Sequence, residues 1–123
     1  MLLEQELFAQ LAGLTGQVAI YLEDIQGSTV FSVNPERPFP AASLIKVLIL
    51  AALLRAAAAG ELSLEEKVTL KPENRVGGAG ALSELSPDVS LPLRDLGTLM
   101  IVQSDNAATN EILDRIGFAK VNT

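Results

Sequence analysis

The sequence predicts an α/β chain of the α+β kind, with one antiparallel strand pair and helices over most of the rest. Three observations predict it. Apolar residues recur at helical spacing in separate stretches near residues 3–11, 93–103 and 107–116. A period-two stretch, a short turn and a β-rich run follow one another between Gln17 and Val33. A nearly unbroken apolar segment, Ser43 to Ala59, is too long for a strand.

Each element has its own justification. Leu3, Leu7 and Leu11, with Phe8 beside Leu7, make one face of an amphipathic helix that Gly13 ends. Gln17 to Asp24 puts Val18, Ile20 and Leu22 on one side of a strand. Gln26-Gly27-Ser28 turns the chain into Thr29 to Val33, so the two runs read as a hairpin. Asn34-Pro35 stops it, and Pro38 and Pro40 keep the next segment extended. Ser43 to Ala59 reads as a helix ended by Gly60. Apolar nearly all round, it belongs at the centre of a larger core. Ser63-Leu64-Glu65-Glu66 has capping-box spacing and predicts a short helical turn. Lys67 to Leu70 reads as a short strand, and Lys71 to Pro92 as loop. Leu93, Leu96, Leu99 and Met100 mark a helix ending near Gln103. After the polar Ser104-Asp105-Asn106, a last helix runs from Ala107 to Ile116, with Gly117 as its stop.

Composition removes several classes of function. The 123 residues carry 9 Lys plus Arg and 15 Asp plus Glu, a net charge of −6. With no basic cluster, no Trp, one Tyr and four Phe, the chain offers neither a phosphate-binding face nor a stacking platform for bases. There is no Cys and no His. Thiol nucleophiles, disulfides, imidazole zinc sites and a Ser-His-Asp triad within this chain are thereby excluded. Any acid–base chemistry falls to Lys, Asp, Glu or Tyr. Leu44 to Ala59, interrupted by Lys46 and Arg55, is short for a membrane span, and Met1 to Glu6 does not have the pattern of a secretory signal.

Without histidine, a serine can be activated by a lysine. Ser43-Leu44-Ile45-Lys46 is the only Ser-x-x-Lys in the chain. Residues three apart share a helix face, so Lys46 can reach Ser43. Ser43 falls at a helix N-terminus, where the dipole favours developing negative charge. A lysine taken out of water favours its neutral amine, which is a base. With 8 Ser and 4 Lys, such a pair arises by chance roughly 0.3 times. Taken alone, the pair is a weak signal, and the readier reading is Ser43 as an N-cap and Lys46 as a side chain snorkelling out of the core. Ser104-Asp105-Asn106 is rarer, with a chance count of roughly 0.01. A cap and a turn would suit Asp105 in either case but is a less economical reading of the full tripeptide.

Together the two motifs resemble those of the penicillin-recognising acyl-serine enzymes, most closely the class A β-lactamases. The resemblance extends to Arg37-Pro38-Phe39-Pro40-Ala41-Ala42 before the serine, to Gly80-Ala81-Leu82, to Leu91 through Asn106, and to Ala108-Thr109-Asn110. It implies an antiparallel sheet flanked by helices, plus a helical domain, with the site between them. Residues 1–42 would be the N-terminal helix and hairpin of the sheet domain, and residues 43–123 most of the helical domain. Ser43 would be the nucleophile, with its own N–H as half of the oxyanion hole. Lys46 would be the base or part of a proton relay, and Ser104 would pass a proton toward the leaving nitrogen. Asn106 would hold Lys46 and the substrate amide, and Asp105 would be structural. The chemistry needs no metal or organic cofactor.

The family's Lys-Thr-Gly motif and its Glu-x-x-Leu-Asn loop, which carries the deacylating glutamate, are absent. The four lysines precede Val47, Val68, Pro72 and Val121. The expectation is therefore the N-terminal half of such an enzyme, with two sheet strands, completed by downstream polypeptide, a second fragment or a swapped chain. Alone, it is expected to turn over little or nothing. The glycine-rich Val76 to Leu82 lacks the aromatic wall of many relatives, and lacks the Gly-Lys-Ser/Thr ending of a phosphate cradle. Three functions fit: a β-lactam hydrolase, a D-alanyl-D-alanine peptidase, or a sensor acylated by penicillin without turnover. The resemblance implies a small β-lactam or cell-wall peptide as partner, and a family that usually acts outside the cytoplasm.

Overall fold

The computed structural model describes residues 2–122 and divides into two units, Met1–Pro40 and Ala41–Thr123. In the first unit, helix α1 (Leu2–Leu11) precedes the hairpin of β1 (Ile20–Glu23) and β2 (Thr29–Val33). The side chain of Leu3 lies outside the described residues; Leu7 and Leu11 are half-buried. The strands pair antiparallel, Ile20 opposite Val33 and Leu22 opposite Phe31, with a bulge after Leu22. The turn forms because the Asp24 carboxylate accepts from the N–H groups of Gln26 and Ser28, at 3.0 and 2.8 Å, while Gly27 takes φ +86°. Phe31 is buried, and its ring meets Phe8 edge-on at 5.2 Å.

The second unit contains helices α2 (Ile45–Ala58), α3 (Leu93–Val102), α4 (Asn106–Ile116) and the short α5 (Phe118–Val121). The tripeptide between α3 and α4 and the start of α2 are the parts that matter for function. Ile49, Ala52 and Leu53 of α2 pack with Leu93, Leu96 and Met100 of α3 and with Ala107, Ala108, Ile112 and Ile116 of α4. Leu93, Leu96 and Met100 are periodic positions the sequence marks. Gly97 of α3 faces α2: a Cβ there would meet the side chains of Leu50 and Leu53 at 3.4 and 3.7 Å. The opposite face of α2 is not covered. Leu44, Val47 and Leu48 are 77%, 59% and 55% exposed. No described helix is long and apolar enough to cross a membrane.

Three local expectations change. The loop expected up to Pro92 contains strand β4 (Ser90–Pro92), paired antiparallel with β3 (Lys67–Thr69), so the described residues hold two strand pairs rather than one. Three residues ending in proline carry no readable period. Ser63 to Glu66 forms a turn instead of a helix, with the Ser63 hydroxyl accepting from Glu65 N–H at 3.2 Å. The chain is needed elsewhere: the carbonyls of Glu66 and Leu64 accept the N–H groups of Leu93 and Arg94 at the start of α3. The long helix begins as a 3₁₀ turn, Ala42–Leu44, before α2 proper.

Ion pairs tie α4 to the β3 region. Arg115 forks onto Glu66 at 2.7 and 2.8 Å, and Lys71 reaches Asp114 at 2.7 Å. The hydrogen bond from Arg115 holds the Glu66 carboxyl below its ordinary value. Hydrogen bonds from Lys71 and then Asn74 do the same for Asp114. Both carboxylates therefore contribute stability above their unfolded pKa values, and that contribution is lost as pH falls through the folded ones. The pairs are exposed enough that each effect is small. Urea midpoints measured from pH 7 to pH 3 are expected to fall below about pH 4, and to fall less in the Glu66→Gln/Asp114→Asn variant. In the same assay Leu53→Ala, which empties a buried position, is expected to cost about 3 kcal/mol.

Candidate active site

Ser43, Lys46, Ser104 and Asn106 come from two segments 60 residues apart, and the structure joins them in one hydrogen-bonded chain. Lys46 is 5% exposed, one turn into the helix that starts at Ser43's 3₁₀ turn. Its Nζ donates to the Ser104 carbonyl at 2.5 Å, to Ser104 Oγ at 2.9 Å and to Asn106 Oδ1 at 2.8 Å. All three donors of an ammonium are used, which is what a buried lysine requires. Lys46 therefore does not snorkel. Ser104 Oγ in turn donates to Ser43 Oγ at 2.8 Å. The link from lysine to the first serine thus runs through the second serine, rather than along the helix face as the spacing alone suggested. Nor does Ser43 cap the helix: Leu44 holds the cap position of α2 without a side-chain bond.

The tripeptide is shaped by its backbone. Ser104 has φ +54°, uncommon for a residue with a side chain. From that conformation its carbonyl and its hydroxyl both bond to Lys46. Asp105, fully buried, is the N-cap of α4. Its Oδ1 accepts from Ala108 N–H at 2.9 Å, and its Oδ2 from the N–H groups of Ala81 and Leu82, both at 2.8 Å. Thr109 Oγ1 adds a 2.6 Å bond to the Asp105 carbonyl.

The resemblance pointed to the glycine-rich loop as a second wall of this site, but the residues alone did not say what it touches. The loop from Gly77 to Leu82 lies against the tripeptide: Asn106 N–H donates to the Ala79 carbonyl at 3.0 Å, and Asn106 Nδ2 to the Gly77 carbonyl at 3.2 Å. Its glycines are the signal that was available. Gly78 and Gly80 have φ +106° and +104°. A Cβ at Gly78 would lie 2.8 Å from Asn106 Nδ2, and one at Gly80 would overlap Asp105.

The sequence matches the family described as the Beta-lactamase enzyme family over residues 2–123. The chain belongs to that family. Among solved structures, this β-lactamase-family chain is similar to the β-lactamase of Sphaerobacter thermophilus, at 36% identity and TM-score 0.83, over 94% of this chain and 43% of that one. It is similar to PBP-A at 34% identity and TM-score 0.82, over 96% of this chain and 46% of that one. An ancestral class A β-lactamase shares the fold at 23% identity and TM-score 0.81, over 98% of this chain and 46% of that one. The chain thus spans less than half the length of these structures. Among curated proteins, none matches it. The α+β fold expected from the sequence is the one these structures share, over nearly all of this chain.

Removing the Asp105 carboxylate leaves three N–H groups without their acceptor. Asp105→Ala is expected to lower stability by about 3 kcal/mol or more, measured by urea unfolding. An unchanged midpoint would mean that the carboxylate does not hold the loop and α4 together.

Proposed function

We propose that the protein this chain belongs to is a serine β-lactam hydrolase working through an acyl-serine intermediate. The observation that carries the reading is the hydrogen-bonded chain Asn106–Lys46–Ser104–Ser43 in a member of the β-lactamase family. Ser43 is the nucleophile, Lys46 and Ser104 are the proton carriers, Asn106 binds substrate and Asp105 is structural. With Lys46 as the neutral amine, the hydroxyl protons run the other way along the same contacts. Ser43 Oγ attacks the lactam carbonyl carbon, its proton passes to Ser104 Oγ, and the Ser104 proton passes to Lys46 Nζ. The lactam C–N bond then breaks. The relay reverses, and Ser104 hands a proton to the nitrogen that leaves. Asn106 keeps Oδ1 on Lys46, and its Nδ2, now on the Gly77 carbonyl, can turn to a substrate amide. Water must then cleave the ester, with a base the resemblance does not place among these residues.

We also propose that residues 1–42 belong to the sheet domain and 43–123 to the helical one. Further polypeptide, downstream or from a swapped chain, covers the face of α2 that carries Leu44, Val47 and Leu48. The exposure of that face and the length of the similar structures support this.

One observation favours a second reading, a protein that is acylated and stays so. PBP-A is 34% identical to this chain, and its L158E mutant was solved as an acyl-enzyme complex with penicillin G.

An intact-mass spectrum before and after penicillin G separates these. Ring opening expels nothing, so acylation adds the mass of the whole drug. An adduct that forms and decays supports the hydrolase, and a lasting one supports the second reading. Ser43→Ala is expected to form none, and Ser104→Ala to form it on the order of a hundredfold more slowly. A folded protein that is never acylated, or an adduct that survives Ser43→Ala, would sink the assignment.

A further inference from the structure

Arg75 lies outside the Ser43 site, is partly buried, and has no carboxylate partner among its described bonds. Its guanidinium instead gathers three main-chain carbonyls. Nη1 donates to Ser83 at 2.8 Å and to Leu85 at 2.9 Å, and Nη2 to Ser86 at 2.6 Å. A charged donor bound to neutral carbonyls is a strong bond, and one planar fork serves all three. The contacts close the chain between residues 75 and 86 on itself. The segment enclosed is the glycine-rich loop whose Gly77 and Ala79 carbonyls hold Asn106. With Gly77, Gly78 and Gly80, that loop has little conformational preference of its own. It is held at its tip by Asp105 and at its base by Arg75.

We propose that Arg75 is a positioning residue. By clasping the base of the 76–86 loop, it sets the Gly77 and Ala79 carbonyls that orient the Asn106 amide, and so the Lys46 contact and the substrate-facing edge of the site. The proposal deepens the reading of Ser43 as an acylated nucleophile and rests on it for its kinetic consequence. The geometric consequence stands independently.

The test compares the whole protein that contains this chain with its Arg75→Met variant, which keeps the apolar stem, and its Arg75→Lys variant, which keeps a charge without the fork. Amide hydrogen exchange is read at Ala81, Leu82 and Asn106, whose N–H groups are the loop's ties, and at Leu53 and Ala56 in α2. Arg75→Met is expected to speed exchange at the three ties by roughly tenfold and to leave α2 unchanged, with Arg75→Lys between it and the parent. Unchanged ties would overturn the proposal. So would an equal rise in α2, which would mean loss of global stability. Acylation by penicillin G is then followed by mass under conditions where exchange shows each variant folded. A slower adduct in Arg75→Met, partly restored in Arg75→Lys, is expected, and equal rates would remove the catalytic consequence. If the parent itself is never acylated, the reading of Ser43 fails, and the exchange data alone decide whether the clasp exists.

Discussion

The buried amine of Lys46 is the constraint on which the rest of the site depends. A buried lysine on a largely apolar helix cannot be left without partners: an uncompensated buried charge is strongly destabilising. Nothing else on α2 can serve it, so the acceptors come from the turn between α3 and α4, nearly 60 residues later. Meeting the lysine's need fixes that turn against the start of α2. The same contacts lay Ser104 Oγ beside Ser43 Oγ. A requirement of stability and an arrangement suited to proton transfer are thus met by the same atoms. Asp105 completes the constraint from the other side. It faces away from Lys46 and binds main-chain N–H groups of α4 and of the Ala81 segment. The Ser104–Asn106 turn is therefore held on two sides at once.

Much of this arrangement was legible in the sequence, and the reasons differ from residue to residue. Helix α3 was legible because its buried positions repeat at three and four, Leu93, Leu96 and Met100, and α2 because its apolar run is too long for a strand. The absence of His and Cys narrowed the chemistry to lysine before any motif was weighed. Asp105 as a cap followed from its place before an apolar-periodic run. Strand β4 was not legible, because its pairing with β3 depends on partners more than 20 residues away and not on its own three residues. The route from Lys46 to Ser43 through Ser104 was not legible either. Spacing along one helix says which side chains share a face, but not which of them a distant segment will separate. Arg75 gave no signal at all, since its partners are backbone carbonyls, and any sequence supplies those.

The uncovered face of α2 bears on how the helix is read. A helix that buries one face can be polar on the other, and most are. This one carries Leu44, Val47, Leu48 and Leu54 outward, without a single charge among them. Arg55 is the exception, beyond that run, with a bond to the Lys120 carbonyl. Apolar residues on both faces are a composition suited to a central helix, and the structures that share this fold are more than twice as long as the chain.

Two residues with side chains sit in the left-handed region beside the hydroxyls of Ser43 and Ser104. Ala42, with φ +45°, immediately precedes Ser43, and Ser104 has φ +54°. Each such conformation costs on the order of 1 kcal/mol and persists only where the surroundings over-determine it. At Ser104 the over-determination is visible: Lys46 on two of its atoms, Asp105's cap immediately after it, and the bond to Ser43. Both contacts to Lys46, through the hydroxyl and the carbonyl, are made from this backbone conformation. In the relay proposed above, it sets Ser104 Oγ within hydrogen-bond distance of both the Lys46 amine and the Ser43 hydroxyl, while the Ser104 carbonyl holds the amine in place.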